Sequence, residues 1–546
     1  MDGVVELPAE LNPLTESILY RVLQSAASSD PQQIQTGTKQ LQRWETEKGY
    51  YNLLQTVFID KSLPVEVRYL AVIQLKNGID KYWRKTATHA VSKEDRNIIR
   101  SRLLESGVDE ADRRLALQNA LVIAKIVRFE YPNDWPDAVT SVTETLRSSI
   151  LAANRSRLSR ALLILLHIVK ELATGRLIRT RVNLQSVTPE IFHVLGRLYL
   201  EKVQKWQAIL RGEGDDEGGA LDDIEQSLLA IKILRRLLVA GYEFPNREKD
   251  VQEFWTIVRS QLGDFLGAVL QESAPLVPQV QQLVEKHLVQ ISKLHLEMAK
   301  AHPVAFVLLP DSLELVRSYW ALVVRFGQTF GSKSPVTSAK IGTDGDVADE
   351  GKSAMERLSL GGLLLLRACL KMVFNPAQTF KYRHQQEKEE KARATQLVRS
   401  QLFTDSLVRE LMEVIVIRYF VLRASDLREW EEEPEEWERR EDCEGEDYEF
   451  AIRPCAEKLF LDLAINYKDI VIQPLLNVFY SVACKLQHTK RMQQHLDVVH
   501  GPDDISLTQT TMHRAWWPYQ GQPLQNTPRP LSSENTTESC SSSFRF

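Results

Sequence analysis

A chain of 546 residues with 43% apolar and 26% charged side chains is too long for one compact core and too apolar to be disordered throughout. A net charge of −5 excludes a generic nucleic-acid binder, whose surface would be dominated by cations. The five cysteines (Cys369, Cys443, Cys455, Cys484, Cys540) include no CxxC pair and no disulfide-like spacing, which suits a reducing compartment.

The first residues, MDGVVELPAELNP, are acidic and lack the apolar run of a secretory signal. Helix-start signals follow. Asp30-Pro31 supplies an N-cap and a first-turn proline, Ser92 precedes Lys93-Glu94-Asp95, and Asp134 precedes Trp135-Pro136. The predicted helices come in pairs: 14–28 with 31–45, 50–59 with 64–82, 92–105 with 110–131, and 135–150 with 155–174. Pair starts step by about 36, 42 and 43 residues, close to the ~40–47 of HEAT and armadillo repeats. The stretch 64–85 is the most informative. Val67, Leu70, Ala71, Leu75, Ile79 and Tyr82 recur at helical spacing as one apolar stripe, and Arg68, Lys76, Asn77, Lys81, Arg84 and Lys85 form a mostly cationic ridge beside it. One pair later, Leu117, Ala120, Leu121, Ala124 and Val127 repeat the stripe. No stretch alternates convincingly as a strand, so the fold class is all-α, an α-solenoid of HEAT repeats.

The longest apolar run, 161–169 with His167 inside it, is far short of the ~20 residues a membrane span needs, so no membrane insertion is expected. Later pairs are longer: 188–210 with 221–240, 250–270 with 275–300, and 312–326 with 355–374. An acidic loop at 212–219 and a disordered insertion over 329–353 fall at turns, where a solenoid tolerates them. Helical patterning resumes over 392–425 and from 450 to about Cys484. The predicted organisation is a first module over 1–86, a solenoid over 87–328, the insertion, a solenoid over 354–484 with an acidic segment at 429–449, and a disordered or aberrant tail over 485–546. An apolar pair ending at Cys484, followed by an unrelated tail, is the pattern of a truncated product or an erroneous gene model.

Little in the chain reads as chemistry. The stretch from Gly345 to Ser353 imitates a phosphate-binding loop, but five residues separate Gly345 from Gly351 where the motif needs four, no strand leads into it, and Asp346, Asp349 and Glu350 would repel phosphate. The eleven histidines include no HExxH and no cysteine pairing at zinc spacing. No nucleophile motif stands out. No catalytic residue, metal or cofactor is therefore assigned, and no enzyme is expected. The acidic segment holds thirteen carboxylates against Arg439 and Arg440, interleaved with Trp430, Trp437, Tyr448 and Phe450. Aromatics at such spacing predict a segment pinned against neighbouring helices, presenting a fixed acidic surface to a basic partner.

Several stretches, in order, resemble the importin-β (karyopherin-β) family of nuclear transport receptors. They are 40–45 (QLQRWE), Gly49-Tyr50-Tyr51, 67–71 (VRYLA), 75–79 (LKNGI), Tyr82-Trp83, 131–136 (YPNDWP), and the acidic-aromatic run from Trp430 through Trp437 to Ala456. The wording around Trp44–Gly49 and 78–84 is nearest the importin-eleven branch. The resemblance implies that the first module, 1–86, is the family's N-terminal domain and that the first inner helices bind the small GTPase Ran in its GTP form. It also implies protein cargo on the concave surface, phenylalanine-glycine nucleoporins in outer grooves, and no direct nucleic-acid binding. The implied receptor is monomeric and shuttles between nucleus and cytoplasm by way of the nuclear envelope pores. By position, Arg68, Lys76, Asn77, Lys81, Arg114 and Asn119 are the Ran-facing candidates, and Glu431, Glu432, Glu433, Glu435 and Glu436 the acidic partner-binding ones. Import is the expected direction. An exportin of the same family and a HEAT scaffold without a transport role are the alternatives.

Overall fold

The computed structural model describes residues 13–175, 178–211, 213, 217–270, 276–331, 353–374, 385–441, 447–481 and 484. The look-alike phosphate loop before Ser353, most of the 329–353 insertion, Cys443, Cys540 and the tail from 485 lie outside the described residues. The chain divides into two units, Met1–Leu475 and Leu476–Phe546; in the second, the described residues 476–481 and 484 are helical.

The first unit is built from helices α1 (Glu16–Ala26), α2 (Pro31–Trp44), α3 (Tyr50–Ile59), α4 (Val65–Tyr82), α5 (Lys93–Val108), α6 (Arg113–Glu130), α7 (Ala138–Leu151) and α8 (Arg155–Ala173). It continues through α9 (Ile178–Leu210), α10 (Glu217–Ala240), α11 (Lys249–Leu270), α12 (Pro278–Ala301), α13 (Pro303–Leu308), α14 (Ser312–Phe330) and α15 (Ala354–Phe374). The last are α16 (Gln385–Leu397), α17 (Asp405–Val414), α18 (Ala424–Glu432), α19 (Pro434–Glu441) and α20 (Ile452–Asn466). No strand occurs among the described residues. The predicted all-α architecture of paired helices is the observed one.

Local chemistry sets the helix starts. Asp30 Oδ1 accepts from the Gln32 N–H (2.9 Å), Ser92 Oγ from Asp95 (3.1 Å), and Asn154 Oδ1 from Arg157 (3.0 Å), each satisfying a donor that has no intrahelical partner. Gly49 precedes α3 in the left-handed region at φ 84°, where a side chain would be strained. Two starts differ from expectation. Asp134 does not cap α7, which opens after Asp137; Asp134 instead pairs with Lys85 (2.8 Å). α9 begins at Ile178 rather than Thr188 and carries Pro189 in its interior. The helical patterning over 392–425 is divided at Phe403, whose backbone (φ −85°, ψ 60°) leaves the helical region between two π-helical turns, Val398–Leu402 and Ile415–Tyr419.

Each pair packs its two helices together, and the second helices also stack on one another along the chain: α4 on α6, α6 on α8, α8 on α10, α10 on α12, α12 on α15 and α15 on α20. A second helix therefore has three covered sides. In α4 the buried set is Val67, Arg68, Ala71, Val72, Leu75, Gly78 and Ile79, broader than the expected stripe. Gly78 is required: a Cβ there would lie 1.9 Å from the Tyr51 ring. In α6, Leu115, Ala120, Val122, Ile123 and Ile126 are buried, whereas Leu117 and Leu121 of the expected stripe are only half-buried because they face the uncovered side. Leu75 is fully buried in this sandwich. Leu75→Ala is expected to cost about 2–5 kcal/mol, read as a lower urea midpoint of the N-terminal repeats.

Candidate functional site

The uncovered side of α4 and α6 carries an interlaced polar seam. Lys76 Nζ donates to Gln118 Oε1 (2.8 Å), Lys125 pairs with Asp80, and the Arg84 guanidinium lies 5.2 Å from the centre of the Phe129 ring. Partial burial, and next the charge of Lys125, hold the Lys76 pKa below that of an ordinary lysine. Asn77 is exposed. Lys81 donates to Glu45 (2.9 Å), and that bond raises the Lys81 pKa; the same carboxylate also accepts from the Tyr82 hydroxyl (3.2 Å). Arg114 is exposed, 3.5 Å from Asp112. At the start of α6, Arg113 reaches past α8 to Glu225 of α10 (3.2 and 3.4 Å). This ion pair joins the N-terminal parts of α6 and α10 across α8.

Two candidates on this surface must be corrected. Arg68 is 5% exposed; its Nε donates to the Phe58 carbonyl (2.8 Å) and its guanidinium pairs with the buried Glu110. Asn119 is fully buried and donates Nδ2 to the Leu103 carbonyl (3.0 Å). Both are buried polar groups bonded inside the stack, so neither can face a partner. Lys76, Asn77, Lys81 and Arg114 remain on the solvent side.

The residues at Tyr82-Trp83 and in the 131–136 motif have a structural role that the sequence did not disclose. Trp83 Nε1 donates to Glu130 Oε1 (3.0 Å), Arg100 holds Glu130 Oε2 (2.8 Å), and Lys85 holds Asp134, which ties the end of α4 to α5 and the end of α6. Burial raises the Glu130 pKa above the usual carboxylate range, against the pull of Arg100.

The acidic segment forms the α18–α19 hairpin. Glu431, Glu432, Glu433 and Glu435 are exposed, and Glu436 is half-buried and paired with Arg439. Of the four aromatics expected to pin it, Trp430 and Trp437 pack on one another (centroids 6.2 Å apart) and Phe450 is 54% exposed. Tyr448 does the pinning: it is buried, with its ring centre 4.2 Å from the Arg367 guanidinium of α15. The segment's start is held by Asp426, paired with Arg453 of α20 and with Arg423 (3.1 Å). Burial would raise the Asp426 pKa, but the Arg423 hydrogen bond and the Arg453 charge outweigh it and hold it low.

Among the described residues, no group of three or more histidines, cysteines and carboxylates is placed to hold a metal ion, and no helix is long and apolar enough to cross a membrane. Burial pushes the Cys369 and Cys455 thiols up to about 12, which leaves them poor nucleophiles.

Residues 37–109, which span most of α2 through α5 and include Lys76, Asn77 and Lys81, match the importin-beta N-terminal domain. The chain is 30% identical over 483 residues to the importin beta-like protein KAP120 of Saccharomyces cerevisiae, covering 87% of this chain and 44% of that protein. It is 28% identical over 469 residues to importin-11 of Homo sapiens, covering 85% of this chain and 44% of that one. Among solved structures, Lph2 of S. cerevisiae, described as a bidirectional nuclear transport receptor, aligns with a TM-score of 0.64 at 27% identity, over 81% of this chain and 40% of its own. The chain thus spans less than half the length of the relatives it matches.

Proposed function

We propose, given that this chain belongs to the importin-β family beside the importin-11 receptors, that it acts as a nuclear transport receptor. In this reading the N-terminal repeats bind Ran-GTP through the concave corner of Lys76, Asn77, Lys81 and Arg114. Protein cargo lies along the concave layer, phenylalanine-glycine nucleoporins contact the outer helices, and the monomeric receptor moves between cytoplasm and nucleus through the pores. The observation that carries the reading is the 30% identity over 483 residues, 87% of this chain, together with the match of residues 37–109 to the importin-beta N-terminal domain. It is supported physically by the exposed cations Lys81 and Arg114 on successive second helices, since long solenoid surfaces bind large partners and small rotations between repeats transmit binding along the array.

The test is a pull-down on immobilised Ran. Binding to Ran-GTP well above the GDP control is expected, and equal recovery on both would remove the transport reading in favour of a HEAT scaffold. Direction is read separately: import cargo is displaced by Ran-GTP, whereas export cargo is retained. Import is the first reading. The description of Lph2 as bidirectional favours testing both cargo classes on one preparation.

A further inference from the structure

The single turn Asp447–Phe450 closes the acidic segment onto the last turns of α12 and α15. There Glu449 Oε2 pairs with Lys300 Nζ (2.5 Å), and the Tyr448 ring lies 4.2 Å from the Arg367 guanidinium and 6.0 Å from Lys371 Nζ. Arg367 is itself fixed by Asp462 of α20, whose Oδ2 accepts from its Nε (2.6 Å), so the guanidinium plane is held ready for a ring. We propose that Lys300, Arg367 and Lys371 form a docking site for an acidic, aromatic-bearing peptide segment of a partner protein, and that this chain's own Tyr448-Glu449 occupies it as an internal stand-in.

The seated residues define the chemistry that the site takes: one carboxylate on Lys300 and one ring face on Arg367. The hold is shallow on the acidic side, because the Lys300 and Glu449 side chains are 39% and 24% exposed and an ion pair so placed contributes little. The hairpin would stay attached when the turn leaves, since Asp426 is separately clamped to Arg453. A peptide fits better than a nucleic acid: the site offers one ammonium for one carboxylate and one guanidinium face for one ring, whereas a phosphate backbone would bring further charges against Asp462. The site is made from helices far along the array from Lys76 and Arg114, so its test stands independently of the Ran reading.

The probe is a fluorescent pentapeptide, Glu-Asp-Tyr-Glu-Phe, copied from 446–450, and binding to the full chain is followed by anisotropy. The wild-type chain should bind weakly, and a Tyr448→Ala/Glu449→Ala variant at least about tenfold more tightly. Adding Lys300→Glu and Lys371→Glu should abolish the gain, and so should replacing the peptide tyrosine with alanine. Should Tyr448→Ala disturb folding, seen as lost helical circular dichroism, Glu449→Lys alone leaves the ring in place and should still raise peptide binding by about threefold. No gain in either opened variant, a gain that survives the lysine reversals, or tighter binding of a single-stranded oligonucleotide than of the peptide overturns the proposal.

Discussion

Replacing Arg68 with alanine is expected to destabilise the first repeats by about 3–5 kcal/mol, because it strands Glu110 as a buried carboxylate without its cation. Glu110 is 4% exposed, accepts from the Asp112 N–H (3.0 Å), and belongs to the turn that starts α6. Losing its partner therefore loosens α4 and the entry to α6 together. Repeat arrays do not unfold as one cooperative unit, so the readout is hydrogen exchange across α3 to α6 rather than a single melting temperature. The double variant Arg68→Met/Glu110→Leu removes both charges and should return to within about 1 kcal/mol of wild type, since an apolar pair of similar volume replaces a buried ion pair at little cost. It should also keep whatever partner affinity the concave surface has. A single Arg68→Ala variant with unchanged exchange protection would show that this pair is not what joins the two repeats.

That contrast also marks where the sequence was legible. Pairing and period were readable because caps are local: Asp30 and Ser92 sit two or three residues from the N–H groups they satisfy. The start of α9 was missed because only Leu184 of its first turns is buried, and the polar residues around it dilute the stripe. Arg68 and Asn119 were misplaced for a different reason. Residue type separates polar from apolar, but not exposed from buried, and their partners lie elsewhere in the chain, on α3, on α5 and in the turn before α6. Even so, a signal existed. Lys76–Gln118, Asp80–Lys125, Trp83–Glu130 and Arg128–Glu171 are separated by 42, 45, 47 and 43 residues. Each separation is about one repeat, because equivalent positions on successive second helices lie side by side. Searching each polar side chain of one second helix for a complementary group one period downstream finds the seam, and it finds Glu110 opposite Arg68 at 42. The anchoring of the acidic hairpin had no such signal, since Lys300 and Glu449 are 149 residues apart and meet only through the stacking of α12, α15 and α20.

Reversing the two most exposed cations of the concave corner, Lys81→Glu with Arg114→Glu, is expected to weaken Ran-GTP binding about 100-fold, equivalent to roughly 2.7 kcal/mol. The choice of positions follows from the seam. Lys76 is half-buried and donates to Gln118, so its reversal also breaks a bond between α4 and α6 and mixes stability with recognition. Arg114 lies 69% exposed beside a single neighbouring aspartate, and the Lys81 side chain is 54% exposed. Replacing them changes charge while leaving the buried sides of both helices as they are. Surface ion pairs of this kind contribute about 0–1 kcal/mol to folding, so helical circular dichroism and urea midpoints should stay at wild-type values. Salt supplies the second readout. Wild-type affinity should fall as ionic strength rises past the point where the screening length reaches about 8 Å, and the variant's weaker affinity should change far less. Wild-type affinity in the double variant, or an affinity loss with an unchanged salt dependence, would move the GTPase contact away from this corner while leaving the buried pair between Arg68 and Glu110 in its structural place.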